Sequence, residues 1–168
     1  MENASAFTTS FDGIARQLKN EVTIYCEDKS IQVTAIWDTG ATISCISTHV
    51  VEQLSLIATG KVKMQTPSGE DVRNTYLVDL RLPNDFLIKD LVVADSEIGS
   101  HSIGEQSVGM LIGIDVICRG NFTVSNYEGK TVFSFRTPSD RRTDYVAEIR
   151  KTQLIGPTHG KGKRRTKR

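Results

Sequence analysis

Asp38, Thr39 and Gly40 stand together between two apolar segments, Ile36-Trp37 before them and Ala41 with Thr42–Ile46 after. A carboxylate at the end of an apolar strand, followed by a small hydroxyl residue and a glycine, suits acid–base work on a peptide bond. Two carboxyls a few ångströms apart share one proton, because like charges so close cannot both ionise cheaply. The ionised member takes a proton from an attacking water, and the protonated member donates to the scissile carbonyl oxygen. Gly40 lets the backbone turn and present amide donors to the carboxylate with no side chain in the way. Thr39 offers a hydroxyl that can brace the loop. The chain has one such tripeptide and no internal repeat at a fixed period, so the second carboxyl must come from another chain.

Other chemistries find less support. Asp115 could be mistaken for the second acid, but its place after Gly113 suits capping or pairing on a short helix. Ser44 and Ser47 lack a His/Asp pairing of the kind a serine hydrolase needs. His49, His101 and His159 share no metal-ligand spacing and are expected on surface segments. Cys26, Cys45 and Cys118 are odd in number and widely spaced, with no Cys-x-x-Cys pair, and read as reduced core thiols rather than a disulfide framework or a metal site. No glycine-rich phosphate loop is present. Neither a metal nor a cofactor is expected.

The elements that must position Asp38 are mostly short strands. Apolar and polar residues alternate over Ile14–Cys26 and Ile31–Trp37, with a turn at Glu27–Ser30. A second apolar strand, Thr42–Ile46, follows the tripeptide, and Ser47 is placed to cap a short helix through Leu54. Lys61–Thr66 and Val72–Leu82 form a hairpin about Pro67-Ser68-Gly69-Glu70-Asp71. Further strands are expected at Phe86–Ala94, Val108–Ile112, Phe122–Tyr127 and Thr131–Phe135, with a helical turn at Gly113–Cys118 and a turn at Asn126, Glu128 and Gly129. Residues 96–108 read as a long Ser/Gly-rich connection. Many short strands with one or two short helices predict an all-β fold, a closed or semi-open barrel.

Asp38-Thr39-Gly40-Ala41 resembles the active-site signature of the retropepsins, the single-domain aspartic proteases of retroviruses and their bacterial relatives. The tripeptide alone is a weak signal. The family's second mark, two apolar residues and a glycine opening a short helix, is matched by Leu111-Ile112-Gly113-Ile114-Asp115. Between the two, the hairpin at Ser68-Gly69 lies where the family places its flap. The resemblance spans residues 14–137 and implies a retropepsin-like β-barrel with one lobe per chain. It implies a homodimer acting on an extended peptide, with Asp38 catalytic and Thr39 bonded across the interface to the partner's matching loop. It implies further that Gly40 meets the substrate backbone and that Pro67, Ser68, Gly69 and Glu70 close over the peptide. Leu111, Ile112 and Gly113 would support the loop from beneath. Ala41 stands where pepsin-like two-lobed enzymes often carry a serine that stabilises the ionised aspartate, so activity is expected at mildly acidic to neutral pH. The chain departs from the family in its bulky Trp37, its long 96–108 connection and its tails. Retroviral proteases often dimerise by interleaving chain ends, and the long segment after the last strand leaves the mode of dimerisation open here.

On this reading residues 1–13 are a lead segment, loosely ordered except where Phe7 or Phe11 docks, 14–137 the protease domain and 138–168 an extension ending in a basic tail. The formal net charge of +1 conceals six cations between Lys161 and Arg168, which leaves −5 over residues 1–158. Such a tail can bind nucleic acid or an anionic membrane surface. It has no interleaved aromatics and no patterned basic face upstream, so a solvated tail is the simpler expectation. No apolar stretch approaches the roughly 20 residues of a membrane-spanning helix. Met1–Ser10 is polar without a basic start, which makes a cytoplasmic location the expectation. Two other function classes compete: a non-catalytic peptide-binding or dimerisation module on the same fold, and a basic-tailed barrel that binds nucleic acid.

Overall fold

The computed structural model describes residues 4–66, 69–98 and 108–154. In chain order its elements are β1 (Ser5–Phe11), β2 (Lys19–Cys26), β3 (Lys29–Trp37), β4 (Cys45–Ser47), α1 (Thr48–Leu54), β5 (Gly60–Thr66) and β6 (Gly69–Arg81). They continue with β7 (Leu87–Ser96), β8 (Val108–Ile112), α2 (Ile114–Ile117), β9 (Asn121–Tyr127), β10 (Lys130–Thr137) and α3 (Tyr145–Leu154). The alternation in β2 buries Val22 and Ile24 and leaves Glu21 exposed, as a half-buried strand requires. Glu128 and Gly129 join β9 to β10, both at positive φ (49° and 76°). That geometry suits a tight two-residue hairpin and the right-handed twist of its strands. Ser47 caps α1, its Oγ accepting the Val50 N–H at 3.3 Å.

Six strands in the order β2-β3-β8-β4-β7-β6 close on themselves through β2–β6 pairing, and β5 extends outward from β6 as a hairpin. The closure pairs Thr23, Ile24 and Tyr25 with Arg81, Leu80 and Asp79. Inside lie Ile24, Ile46, Leu80, Val93, Met110 and Ile112, all without solvent exposure. A separate three-stranded sheet has the order β1-β10-β9. Its inner face meets the barrel through an aromatic cluster in which Trp37 stacks on Phe122 at 5.6 Å and lies 5.0 Å from Phe135. Phe7 packs against Trp37 and edge-on to Phe133.

Several expectations are corrected. Ser5–Phe11 is not loosely ordered: it runs antiparallel along β10 from Ser5↔Thr137 to Phe11↔Thr131. Its Ser and Thr residues resemble a linker, but Phe7 and Phe11 recur on the inner face with β-favouring threonines between them. The strand expected from Ile14 begins only at Lys19, and the one expected over Thr42–Ile46 is confined to Cys45–Ser47. The 138–168 extension contains α3, for which the sequence carried no strong periodic signal. The three cysteines are free, yet Cys45 alone is fully buried, with Cys26 half-buried and Cys118 exposed. Most of the 96–108 connection, and the basic tail, lie outside the described residues. Among the described residues no helix is long and apolar enough to cross a membrane.

Candidate active site

β3 ends at Trp37, whose 4 % exposed side chain is fixed by the aromatic cluster and by Nε1–H donation to Asn20 Oδ1. The next residue, Asp38, therefore leaves a strand held on its inner side. Its backbone N–H donates to Ile112 O at 2.9 Å, so the start of the loop is stitched to the end of β8. The chain then turns: Ala41 N–H donates to Asp38 O at 3.2 Å, and Gly40 N–H donates to Asp38 Oδ1 at 2.8 Å. The carboxylate is half-buried, while Thr39 and Gly40 are exposed at the tip.

β8 supports this loop because it lies between β3, to which it is parallel, and β4, to which it is antiparallel. Leu111 is paired with Ile36 on one side and Cys45 on the other, and Ile112 is paired with Trp37. Gly113 then opens α2 in contact with the loop. A Cβ there would lie 2.8 Å from Ala41 O and 2.9 Å from Ile43 C, so no larger residue fits without moving the backbone. Ile114 N–H donates to Ala41 O at 2.8 Å. Asp38, Gly40 and Ala41 are thus brought together with Leu111, Ile112 and Gly113.

Ser44 was overlooked in the sequence except as a discarded nucleophile. Its side chain is fully buried, donates from Oγ to Asp115 Oδ1 at 2.7 Å and accepts the Gly113 N–H at 3.0 Å. Its own N–H donates to Asp115 Oδ2 at 3.0 Å. Asp115 thus has both oxygens committed behind the loop, which suits a brace rather than a second catalytic acid. The spacing of Ser44 and Asp115, 71 residues apart, gave no local signal. Burial pushes the Cys45 thiol up to about 11, with Asp115 and Asp95 adding to the effect, so the sulfur beside this brace stays protonated and inert.

The β5–β6 hairpin carries the remaining predicted residues. Thr66 pairs with Gly69, which has φ +123°, and Gln65 pairs with Glu70. Pro67 and Ser68 lie outside the described residues. Below the tip, Arg73 Nε and Nη2 both reach Asp71 Oδ2 at 2.7 Å.

A cavity of about 460 Å³ lined by Tyr25, Cys26, Lys29, Leu54, Ile57 and Asp90 lies at the opposite end of β3. Nine residues of strand, about 30 Å, separate Lys29 from Asp38, so the cavity does not belong to this site. Among the described residues no group of three or more His, Cys, Asp or Glu could hold a metal ion. The arrangement presents one carboxylate on a braced turn at an exposed edge.

A family model described as aspartyl protease matches residues 21–116, more than half of the chain. Among solved structures, a retropepsin-like aspartic protease from Rickettsia conorii is similar at 9 % identity and a TM-score of 0.50, covering 82 % of this chain and 98 % of that one. This likeness shows the retropepsin-like fold. The simian foamy virus (mac) protease is 19 % identical over 60 % of this chain and 92 % of its own, with a TM-score of 0.43. The EIAV protease, solved with an inhibitor, is 16 % identical over 64 % and 91 %, with a TM-score of 0.46. No curated protein sequence matches the chain.

Proposed function

We propose that this chain, which belongs to the aspartyl protease family, is an endopeptidase that works as a homodimer, each copy supplying Asp38 as one carboxyl of a catalytic pair. The observation that carries this reading is the bond from Gly40 N–H to Asp38 Oδ1 at 2.8 Å, in a loop fixed from beneath by Ile112, Gly113 and Ser44. It holds a carboxylate in one orientation before any substrate arrives, the preorganisation that proton transfer at a peptide bond requires. The protomer provides one such group, and Asp115 is committed elsewhere.

In the dimer, Asp38 and Asp38 of the partner subunit share one proton, so their titration belongs to the pair. The ionised carboxylate accepts a proton from water as the oxygen attacks the scissile carbonyl carbon. The protonated one donates to the carbonyl oxygen, and the resulting tetrahedral intermediate collapses as the leaving nitrogen is protonated. No cofactor takes part. Thr39, exposed at the tip, is available to bond across the interface, and Gly40 leaves room for the substrate backbone. An extended peptide lies between the barrels and the β5–β6 hairpins, paired through its backbone, with Gly69 and Glu70 near the closing tip. Working pH is mildly acidic to neutral.

The test is Asp38→Asn. It should abolish cleavage of an unfolded protein substrate while leaving the fold and the dimer mass intact. A correctly folded dimeric wild type that cleaves nothing between about pH 4 and pH 8 would leave the non-catalytic peptide-binding reading in its place.

A further inference from the structure

β2 carries a polar residue on its core face. Period-two alternation puts Asn20 on the side of Val22 and Ile24, which are buried, and away from exposed Glu21. An amide in that place destabilises the fold unless it finds a partner. The partner is on the neighbouring strand. Asn20 is in register with Ala35, so Trp37 is its diagonal neighbour across the β2–β3 ladder, and Trp37 Nε1–H donates to Asn20 Oδ1. Asn20 Nδ2 donates to Glu21 O at 2.7 Å, which turns the amide so that its oxygen faces the indole.

This bond does what the aromatic cluster cannot. Phe7, Phe122, Phe133 and Phe135 surround the indole with ring centroids 5.0 to 5.9 Å away. Contacts of that kind bury apolar area and are compatible with more than one ring orientation. A hydrogen bond to one fixed acceptor is directional and selects a single orientation. The backbone on either side of the ring is held as well: Trp37 N–H donates to Leu18 O at 2.9 Å, and Asp38 N–H donates to Ile112 O at 2.9 Å. The peptide joining Trp37 to Asp38 is thus fixed at both amides and, through the ring, at the far end of the Trp37 side chain. Turning the ring inside the core shifts the Trp37 backbone, from which Asp38 follows directly.

We infer that Asn20 is a positioning residue for the Asp38 carboxylate. By accepting the Trp37 indole N–H it fixes the orientation of the ring, and through the Trp37–Asp38 peptide it fixes the direction in which the carboxylate is presented. The inference rests on the reading of Asp38 as a catalytic carboxyl. Asn20 itself touches neither substrate nor the reacting atoms, so it acts only through Trp37. That restriction makes the two residues a coupled pair, and their effects on turnover are not additive.

The experiment compares the full chain with Asn20→Leu, Asn20→Asp, Trp37→Phe and the Asn20→Leu/Trp37→Phe double variant, by steady-state peptide cleavage at saturating enzyme concentration and by tryptophan emission. Trp37 is the sole tryptophan of the chain, so the emission belongs to its indole. Asn20→Leu keeps the volume and removes the acceptor. Its turnover number should fall by about tenfold with KM within about twofold of wild type, and its emission maximum should shift. Asn20→Asp keeps an acceptor oxygen and should restore most of the turnover and the wild-type emission. Trp37→Phe has no N–H to donate, so adding Asn20→Leu to it should cost no further activity. Equal losses from Asn20→Leu in the wild-type and Trp37→Phe backgrounds, or wild-type turnover in Asn20→Leu, would overturn this inference and leave the Asp38 reading standing. If Asn20→Leu does not fold, Asn20→Asp decides: turnover as low as that of Trp37→Phe would overturn the inference in the same way. A folded wild type that cleaves nothing would overturn the Asp38 reading and this inference together.

Discussion

Ser44 Oγ lies 2.7 Å from Asp115 Oδ1 and 3.0 Å from the Gly113 nitrogen, joining the segment after the Asp38 loop to the start of α2. The pair is buried on the serine side and far apart in sequence, and it fixes the two halves of the site to each other. A hydroxyl that both donates and accepts is suited to this place, because it satisfies a carboxylate and an amide together.

Removing that hydroxyl by Ser44→Ala takes away the acceptor of the Gly113 N–H and one of the two donors to Asp115 Oδ1, which keeps the Val116 N–H at 3.0 Å. The expected loss of stability is about 1–3 kcal/mol. The turnover number should fall more than KM rises, since the loop is loosened rather than the peptide cleft altered. Chemical denaturation and steady-state kinetics check both, and a variant equal to wild type in each would show the pair to be incidental.

Gly113→Ala should be worse. Its Cβ would meet Ala41 O at 2.8 Å, and that oxygen is backbone. Overpacking of this kind costs about 1–3 kcal/mol, and the displaced loop should lower the turnover number by about 100-fold. Gly129→Ala is the contrast. Its φ of +76° strains the hairpin, but nothing lies within 4 Å, so it should lose stability by about 1 kcal/mol with activity unchanged.

Trp37 couples the outer sheet to the catalytic loop. Trp37→Ala removes the stack on Phe122 and the bond to Asn20, and should destabilise the protein by about 3–5 kcal/mol. Trp37→Phe should retain a substantial part of this by keeping ring contacts. Unfolding monitored in the far ultraviolet distinguishes the two; near-equal stabilities for Ala and wild type would contradict an anchoring role.

Thiol labelling should be ordered. Cys118 is exposed and should react first, while Cys45, 2 % exposed, should resist until the protein unfolds. The Cys45 proton is held more tightly in the folded protein than in the unfolded chain, with the thiol raised from 9.0 to about 11. The stability this contributes is complete below about pH 9 and is lost as pH rises through about 11. Cys45→Ala should therefore flatten the alkaline fall in denaturation midpoint relative to wild type.

The barrel was legible because its strands alternate cleanly, as in Val22 and Ile24, and because Asp38-Thr39-Gly40 and Leu111-Ile112-Gly113 are local signals. The order of strands in the sheet was not, since pairing such as β3 with β8 depends on contacts remote in sequence. β1 was missed because Ser, Thr and Phe become a strand only when β10 and Trp37 are present to receive them. α3 was missed because its polar face dominates a short segment. The role of Ser44 needed the 71-residue separation from Asp115 to be closed in space. Trp37 looked like a departure from the resembled family until the phenylalanines around it were brought together.

The central claim is that catalysis requires Asp38 from two copies. Wild-type chain should be mixed with increasing amounts of Asp38→Asn at fixed total concentration, allowed to exchange subunits, and assayed for peptide cleavage. If each active site takes one carboxyl from each copy, activity will fall as the square of the wild-type fraction. A fall in simple proportion to that fraction would mean that one chain is sufficient, and would contradict the account.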